Sequence, residues 1–261
     1  MKKYLDVFQM NFKNARVFQL AFVLSFLAIP VQLVITYFFW QRILPASGST
    51  VISANNIVSY FLYVDILQLG FAPAMYVTYD LWQKINQGTL LVWLNRPINY
   101  PFMIFCQSLS DHLLQTYLPL FCVEILAALL GNPFTIGSFA LGLLSALLGF
   151  VLLFEIQFTI GCLTFWLKNV LVVRDVLMSV LFILGGLVIP LDLTPVLIQK
   201  IAFLTPIPAV YYFPARLLAG QLDPKTILQN FALQGFWCLG LGLLIAILWR
   251  SGTRDKVTYG A

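Results

Sequence analysis

Five acidic or histidine side chains lie away from the charged ends of long apolar stretches of this chain, and they are the residues whose types could do chemistry. They are Asp65, Asp111, His112, Glu124 and Glu155. A charge at the centre of an apolar helix costs about 2.5–3.5 kcal/mol, while each Leu, Ile or Phe contributes about 0.3–0.6 kcal/mol in the other direction. By that arithmetic, an apolar segment of about fifteen strong hydrophobes can carry one acid and still enter a bilayer.

Glu155 is the most informative of the five, because Gln157 and Thr159 follow it closely in one long apolar segment. Two interpretations fit this pattern. In the first, the carboxyl has a functional role in a polar cavity or at a contact between subunits. In the second, it is a protonated or internally paired carboxyl with a structural role.

Asp111 and His112 are adjacent, which could suggest a catalytic pair or a proton relay. Adjacent residues on a helix do not face each other, and His112 is the only histidine of the chain. The sequence also contains neither H-E-x-x-H nor G-x-S-x-G. We therefore expect a polar contact within a helix bundle, no catalytic site and no enzyme.

The cysteines show no pattern typical of a disulfide framework or a metal site. All four lie in apolar segments, without C-x-x-C spacing and without clustering around the histidine. We expect them to be small buried hydrophobic residues and expect no metal site. They are Cys106, Cys122, Cys162 and Cys238.

The composition indicates a membrane protein. Of 261 residues, 61% are hydrophobic and 10% are charged, and the mean hydropathy is +0.90. A soluble domain is closer to half apolar and a quarter charged. The net charge of +5 does not indicate nucleic-acid binding, because the basic residues flank apolar segments. The charged, amphipathic start of the chain predicts no cleavable signal peptide.

Six apolar segments are long enough to cross about 30 Å of hydrocarbon, which takes about 20 residues. The sequence therefore predicts an all-α membrane protein with six transmembrane helices. The predicted spans are Val17 to Trp40, Ile57 to Thr78, Pro101 to Leu130, Ile136 to Leu167, Val170 to Ile189 and Asn230 to Trp249.

The distribution of Lys and Arg predicts the orientation. With the N-terminus inside, eleven of the fifteen basic residues flank the cytoplasmic ends of the spans, and four lie outside. We therefore expect a multi-pass protein of the plasma membrane with both termini in the cytoplasm.

Two cytoplasmic segments are amphipathic. Residues 1–16 alternate charged and apolar residues at helical spacing, which predicts a basic helix at the membrane surface. Residues 80–100 (DLWQKINQGTLLVWLNRPINY) are too polar to span and too apolar for a free loop. Gly88 interrupts the segment, and Pro97 and Pro101 end it. We predict a short helix that is offered to a cytosolic partner, and an ordinary interfacial loop is the alternative.

Residues 185–219 follow the fifth apolar segment and contain features that break helices. The glycine pair Gly185 and Gly186 is followed by Pro190, Pro195 and Pro206. Glycine costs a helix interior about 1 kcal/mol and proline about 3 kcal/mol. The amphipathic run Val196 to Leu204 suits a short helix at an interface. We predict an apolar hairpin that re-enters the outer mouth of the bundle without crossing, with Lys200 and Arg216 reaching the outer surface.

These segments resemble the permease subunits of ABC-2-type ABC transporters, in particular six-span permeases of this length. Three features carry the resemblance across the chain: the N-terminal segment MKKYLDVF, the connection at 80–100, and the glycine–proline pattern of 185–219. The resemblance implies a single transmembrane domain over residues 1–261. Residues 1–16 would be its connecting helix, 80–100 its coupling helix and 185–219 an exoplasmic re-entrant gate.

The resemblance also implies which residues contact a partner ATPase. They are Lys84, Gly88, Leu90, Leu94, Arg96 and Pro97. Family members often carry an acidic residue just before the coupling glycine. This chain instead has Asn86 and Gln87, so a salt bridge at that point is not expected.

The resemblance predicts an exporter permease driven by a separate ABC ATPase, which would hold ATP and Mg²⁺. The sequence agrees with that division, because it contains no G-x-x-x-x-G-K-[ST] loop to hold a nucleotide's phosphates. We expect no cofactor on this chain. A second permease, either identical or a sister chain, would complete the transporter, and the cargo would be hydrophobic or amphipathic. An ion-driven secondary transporter is the alternative, and it would show internal repeats with paired broken helices.

Overall fold

The computed structural model of the protein describes residues 19–46, 54–129 and 136–255. The predicted amphipathic helix at 1–16 lies outside the described residues. Within them the chain forms helices and no strand. The helices are α1 (Gln19–Ala46), α2 (Ala54–Met75), α3 (Val77–Asn86), α4 (Leu90–Leu94), α5 (Tyr100–His112), α6 (Leu118–Leu129), α7 (Ile136–Cys162), α8 (Val170–Leu184), α9 (Val196–Phe203), α10 (Ile207–Val210), α11 (Tyr212–Leu218) and α12 (Pro224–Asp255).

Each of the six predicted spans contains a long helical segment. The third is α5 and α6, joined by one turn of π-helix at Leu113–Tyr117. In the described part of the chain, three stretches are long and apolar enough to cross a bilayer on their own: Asn56–Asn86, Gly137–Phe165 and Pro224–Arg254. The fifth, α8, has 15 residues and is only about 22 Å long. Six crossings therefore remain a prediction.

Helix α7 lies at the centre of the molecule and packs against α2, α3, α8, α11 and α12. Its aromatic residues Phe150 and Phe158 are completely buried. On its other side, small residues allow neighbours to approach closely. A methyl group added at Gly149 would lie 2.5 Å from the carbonyl oxygen of Val210, and one added at Gly142 would lie 2.5 Å from Leu218. Glycines at these positions let α10 and α11 pack directly on the α7 backbone.

The two ends of α7 face different parts of the chain. Near its N-terminus, Gly142 contacts Leu218 of the 185–219 hairpin, and near its C-terminus, Gly161 contacts Leu81 of the 80–100 connection. Gly142 and Gly161 are nineteen residues apart, which is about 28 Å along a helix. The hairpin and the connection are thus separated by about the thickness of a bilayer's hydrocarbon core.

The long helices alternate in direction between these two ends. At the hairpin end, Gln221 donates a hydrogen bond to the Asn56 carbonyl at the start of α2, with a distance of 2.7 Å, and Trp40 near the end of α1 stacks on Phe61. Tyr117, which follows α5, donates to the Leu143 carbonyl near the start of α7 at 3.0 Å. These contacts place the last part of α1 and the first parts of α2 and α7 at the hairpin end.

At the connection end, the Tyr100 ring at the start of α5 stacks on Trp249 near the end of α12, with centroids 5.4 Å apart. Arg174, early in α8, donates to the Met75 carbonyl at the end of α2. Together, the contacts at the two ends order the six long segments as an up-and-down bundle.

Helix α12 begins at a local cap. Asp223 accepts hydrogen bonds from the hydroxyl and the backbone N–H of Thr226, at 2.5 and 3.2 Å, and these bonds lower the pKa of the Asp223 carboxyl. One face of α12 packs on α7, and the opposite face exposes large apolar side chains, including Leu228, Phe236, Leu239, Leu243 and Ile247. Such a face suits lipid or another apolar helix.

Candidate functional site

The 80–100 connection forms a compact element at one end of the bundle. Helix α3 ends at Asn86, Gly88 turns the chain with φ of +70°, and α4 follows. Glycine adopts this left-handed conformation without the strain that a side chain would add. A methyl group at Gly88 would meet nothing within 4 Å, so the turn projects into open space. The connection thus contains a short helix, α4, after a break at Gly88, and its contact with a cytosolic partner remains a prediction.

The inner side of the connection is held by aromatic and ionic contacts. Lys84 forms an ion pair with Asp80 at 2.6 Å, and its ammonium lies 5.5 Å from the ring centres of both Trp93 and Tyr100. Trp82 donates to the Lys168 carbonyl at 3.2 Å, which ties the connection to the turn after α7. Each contact is modest, but together they fix the orientation of α3 and α4 against the bundle.

The outer side of the connection is a small apolar surface with a polar rim. Leu91 is 44% exposed and Val92 is 58% exposed. Asn86 and Gln87 are exposed beside them, and the Arg96 guanidinium lies over the Trp93 ring at 4.6 Å. We call Asn86, Gln87, Leu91, Val92 and Arg96 the coupling tip. An apolar centre with polar residues around it is typical of a protein-docking surface.

The structure places the six predicted contact residues on different sides of this element. Gly88, Arg96 and Pro97 are exposed, while Lys84 and Leu94 are partly buried. Leu90 is only 3% exposed and packs inside the bundle. Sequence reasoning missed Leu91 and Val92, because α4 has only five residues and no apolar periodicity can be read over so short a helix.

The 185–219 hairpin begins where α8 ends. Gly185 caps α8 through a 2.8 Å hydrogen bond to Leu181, and a methyl group added at Gly185 would lie 2.3 Å from that carbonyl oxygen. Gly186 has φ of +78°. The buried hydroxyl of Tyr60 donates to the Gly186 carbonyl at 2.7 Å, which joins the hairpin to α2. Both glycines are therefore required by the local geometry.

The hairpin then splits into an exposed helix and a buried return. After Pro190 and Pro195, helix α9 directs the side chains of Val196 and Leu197 outwards, as an interfacial helix would. After Pro206, residues 207–215 are buried against α7 and its neighbours. The return, Ile207 to Leu218, is about 18 Å long at most, which is too short to cross a bilayer.

A polar cluster closes the outer part of the hairpin. Asp192 forms an ion pair with Arg216 and accepts a 2.8 Å hydrogen bond from the Tyr212 hydroxyl. Arg216 also donates to the Gln221 carbonyl at 3.1 Å. This contact corrects one expectation: Lys200 is exposed, but Arg216 turns to Asp192 instead of extending to the surface. The cluster borders a cavity of about 310 Å³ between the hairpin and α2, near Tyr60.

Comparison with known proteins bears directly on this arrangement. The sequence model of the ABC-2 family transporter proteins matches residues 31–259, which include both the connection and the hairpin. The chain belongs to the ABC-2 transporter family. A comparison with curated proteins finds no match to this chain. Family membership makes this chain the permease of an ABC transporter and a multi-pass membrane protein, and it leaves ATP hydrolysis to a separate subunit. It does not support the alternative of an ion-driven secondary transporter.

In this ABC-2 permease, the histidine is a structural residue. His112 is completely buried, its ring stacks on Phe150 with centroids 4.0 Å apart, and its Nδ1 lies 2.8 Å from the Thr116 hydroxyl and 3.1 Å from the Gly70 carbonyl oxygen. The prediction of a polar contact within the bundle, made for the Asp111–His112 pair, is confirmed for His112.

The intramembrane acids differ in their surroundings. Glu124 accepts a 2.5 Å hydrogen bond from the Tyr63 hydroxyl, which joins α6 to α2. Buried oxygens of Asp65 and Glu155 have no hydrogen-bond partner within the described residues. Glu155 faces Gly242 of α12, whereas Gln157 points to Thr78 of α3. These two residues therefore do not form one polar group, and Glu155 has no internal partner among the described residues.

The cysteines are all free thiols, and they are not all buried. Cys162 is completely buried, whereas Cys122 lies exposed on α6. The prediction of four buried residues is wrong for Cys122, because that position of α6 faces outwards from the bundle.

Proposed function

We propose that this chain is the permease subunit of an ATP-driven exporter, with six crossings, an ATPase docked on the coupling tip and the 185–219 hairpin as its exoplasmic gate. The observation that carries the proposal is the placement of these two elements at opposite ends of α7, about 28 Å apart. One end presents an apolar surface with a polar rim, and the other carries a hairpin whose return, Ile207 to Leu218, is too short to cross.

Docking on the coupling tip is supported by its chemistry. Leu91 and Val92 form an exposed apolar centre, and the contacts of Lys84 and Trp93 behind them connect this surface to α5 and α12 through Tyr100 and Trp249. A force applied to the tip by a closing ATPase dimer would therefore reach two long helices directly. Shape change of this kind requires no bond chemistry from the permease.

Gating by the hairpin is supported by its attachments. Its return packs on α7, while its outer part is held to α2 by Tyr60 and closed by the Asp192–Arg216 pair. When α2 and α7 move apart, these polar contacts would have to separate. The structure, with the contacts intact, would then represent a state closed towards the outside.

A second permease, either a copy of this chain or a sister chain, would complete the transporter. The exposed apolar face of α12 and that of α1, which includes Val31, Val34 and Phe38, offer surfaces for lipid and for this partner. The cargo would be hydrophobic or amphipathic, the membrane would be the plasma membrane, and both termini would be cytoplasmic.

The docking proposal can be tested with a matched pair of substitutions. Leu91 and Leu167 are both 44% exposed at the same end of the bundle, but only Leu91 belongs to the coupling tip. Truncating an interface anchor costs about 2 kcal/mol, which is roughly 30-fold in affinity. We expect Leu91→Asp to reduce by about this factor the ABC ATPase that co-purifies with tagged permease, and expect Leu167→Asp to retain it.

Two results would overturn the docking proposal. The first is equal ATPase recovery with Leu91→Asp and with the unmodified chain, provided that both insert in the membrane in equal amounts. The second is that no ABC ATPase co-purifies with the unmodified permease from its native membrane.

A further inference from the structure

A second cavity, of about 430 Å³, lies between α3 and the end of α2 on one side and α5 on the other. It extends from the 80–100 connection towards the middle of the bundle. Asp111, on its wall, is eleven residues from the start of α5 at Tyr100, or about 16 Å along the helix. Other lining residues are Pro73, Tyr76, Asp80, Gln107 and Gln115. We call this cavity the α2–α5 cleft.

Both walls of the cleft are irregular in backbone structure. On one wall, Pro73 lies inside α2, and Tyr76 separates α2 from α3. On the other, Gln115 belongs to the π-helical turn at Leu113–Tyr117. Turns of this kind are frequent at functional sites, and irregular backbone at membrane depth is tolerated where it lines a cavity or is buried in protein. Two independent irregularities face the same cavity.

The α5 wall also carries a row of polar side chains without partners. Gln107, Asp111 and Gln115 follow at intervals of four residues on one face, and Ser108 lies beside them. None of these four side chains forms a hydrogen bond or an ion pair with the described part of the chain. Ser108 is only 7% exposed, and it lines the cleft. A polar group as buried as Ser108 is normally satisfied, and a polar group that enters the cleft would supply its partner.

The charges of the cleft indicate the sign of that ligand. It holds the carboxyls of Asp80 and Asp111 and the ammonium of Lys84, and Lys84 is already paired with Asp80 at 2.6 Å. Asp111 is the acid left without a counter-charge among the lining residues. Tyr76, which is 66% exposed at the edge of the cleft, adds an aromatic face that attracts cations.

We propose that the α2–α5 cleft binds the primary ammonium headgroup of an amphipathic molecule, whose apolar chain remains in the surrounding lipid. Asp111 pairs with the ammonium, and Gln107, Ser108 and Gln115 accept its remaining hydrogen bonds. This inference rests on the proposed transport function and names its substrate class. The same headgroup occurs in phosphatidylethanolamine and in free long-chain amines.

The cleft can be tested by binding of radiolabelled dodecylamine to full-length permease in phosphatidylcholine nanodiscs. We expect saturable binding that dodecyl sulfate and dodecanol do not displace. Asp111→Asn should weaken binding about tenfold or more, because it removes the counter-charge. Asp175→Asn, which changes a carboxyl with a 70% exposed side chain on α8, should leave binding unchanged.

A further variant covers the case in which Asp111→Asn does not fold. Gln115→Ala keeps the charge, and we expect it to weaken dodecylamine binding roughly fivefold. Adding phosphatidylethanolamine to the nanodiscs separates the two sources. Competition by this lipid assigns the site to a membrane lipid, and lack of competition assigns it to a free amine.

Equal affinity of Asp111→Asn and the unmodified chain, or equal displacement by dodecyl sulfate, would overturn the proposal. The assay contains no ATPase, so its outcome is independent of the docking test. If the permease retains its ATPase but does not discriminate headgroups, only the proposal for the cleft is wrong. If the permease binds dodecylamine as expected but retains no ATPase, the proposed exporter function is wrong and the headgroup site still stands.

Discussion

The 185–219 hairpin and the 80–100 connection are built from the same parts in opposite surroundings. Each contains a glycine in the left-handed region, Gly186 with φ of +78° and Gly88 with φ of +70°. A methyl group added at Gly186 would lie 2.4 Å from the Tyr60 hydroxyl, whereas at Gly88 it would meet nothing within 4 Å. The hairpin turns inside the packed core, and the connection turns in open space.

The ion pairs of the two elements also differ: that of the hairpin joins two separate helical segments, and that of the connection lies within one helix. The Asp192–Arg216 pair of the hairpin is reinforced by the Tyr212 hydroxyl. The Asp80–Lys84 pair spans one turn of α3, with Asp80 half exposed. Polar contacts in the hairpin hold separate helices together, while those of the connection shape a surface. We therefore expect substitutions in the hairpin to change stability, and substitutions at the coupling tip to change partner binding.

The largest difference is expected between Gly186→Ala and Gly88→Ala. The left-handed backbone alone costs a residue with a side chain about 1–2 kcal/mol, and overpacking adds about 1–3 kcal/mol. Gly186→Ala should therefore lower the free energy of unfolding by about 3 kcal/mol, and Gly88→Ala by about 1 kcal/mol. Thermal unfolding in detergent measures both. Equal losses would show that the hairpin turn is not packed as described.

The ion pairs provide the next comparison. Asp192→Asn removes the partner of Arg216 and weakens the acceptor of Tyr212, both of which are largely buried, so we expect a loss of about 2 kcal/mol. Asp80→Asn changes a partly exposed pair within one helix and should cost about 0.5 kcal/mol. Unfolding of the two variants in parallel tests the ranking, and a larger loss for Asp80→Asn would contradict it.

The smallest effect is expected from removing single hydroxyl groups. Tyr60→Phe deletes the buried 2.7 Å hydrogen bond to the Gly186 carbonyl and should cost about 1 kcal/mol. Tyr79, on α3, is half exposed, and Tyr79→Phe should leave the unfolding free energy unchanged. If Tyr79→Phe lowers the free energy of unfolding as much as Tyr60→Phe does, single hydroxyl groups do not distinguish the hairpin from the connection.

Much of the fold could be predicted from the sequence, because apolar length and proline position act locally. The run from Val170 predicted the start of α8, but its end was predicted at Ile189 and lies five residues earlier, at Leu184, because the chain already turns at the glycine pair 185–186. The close contacts of Gly142 and Gly149 with the hairpin became apparent only in the folded structure.

Contacts between distant residues could not be predicted. Asp192 and Arg216 are 24 positions apart, and only the folded return of the hairpin brings them together. The burial of Leu90 and the exposure of Leu91 depend on how α4 is rotated against the bundle, which a five-residue helix does not encode. The polar row of Gln107, Asp111 and Gln115 was not recognised in the sequence, and the cleft in front of it depends on the break between α2 and α3.

The central claim is that the coupling tip and the end of the hairpin lie on opposite sides of the membrane. Gln87 and Lys225 are both exposed, one on the tip and the other at the start of α12. The direct test is labelling of single cysteines at these two positions, in intact cells, in a chain whose four native cysteines are replaced. We predict that an impermeant thiol reagent added outside labels Lys225→Cys at once and Gln87→Cys only after the membrane is opened. Labelling of both positions from the same side would contradict the account.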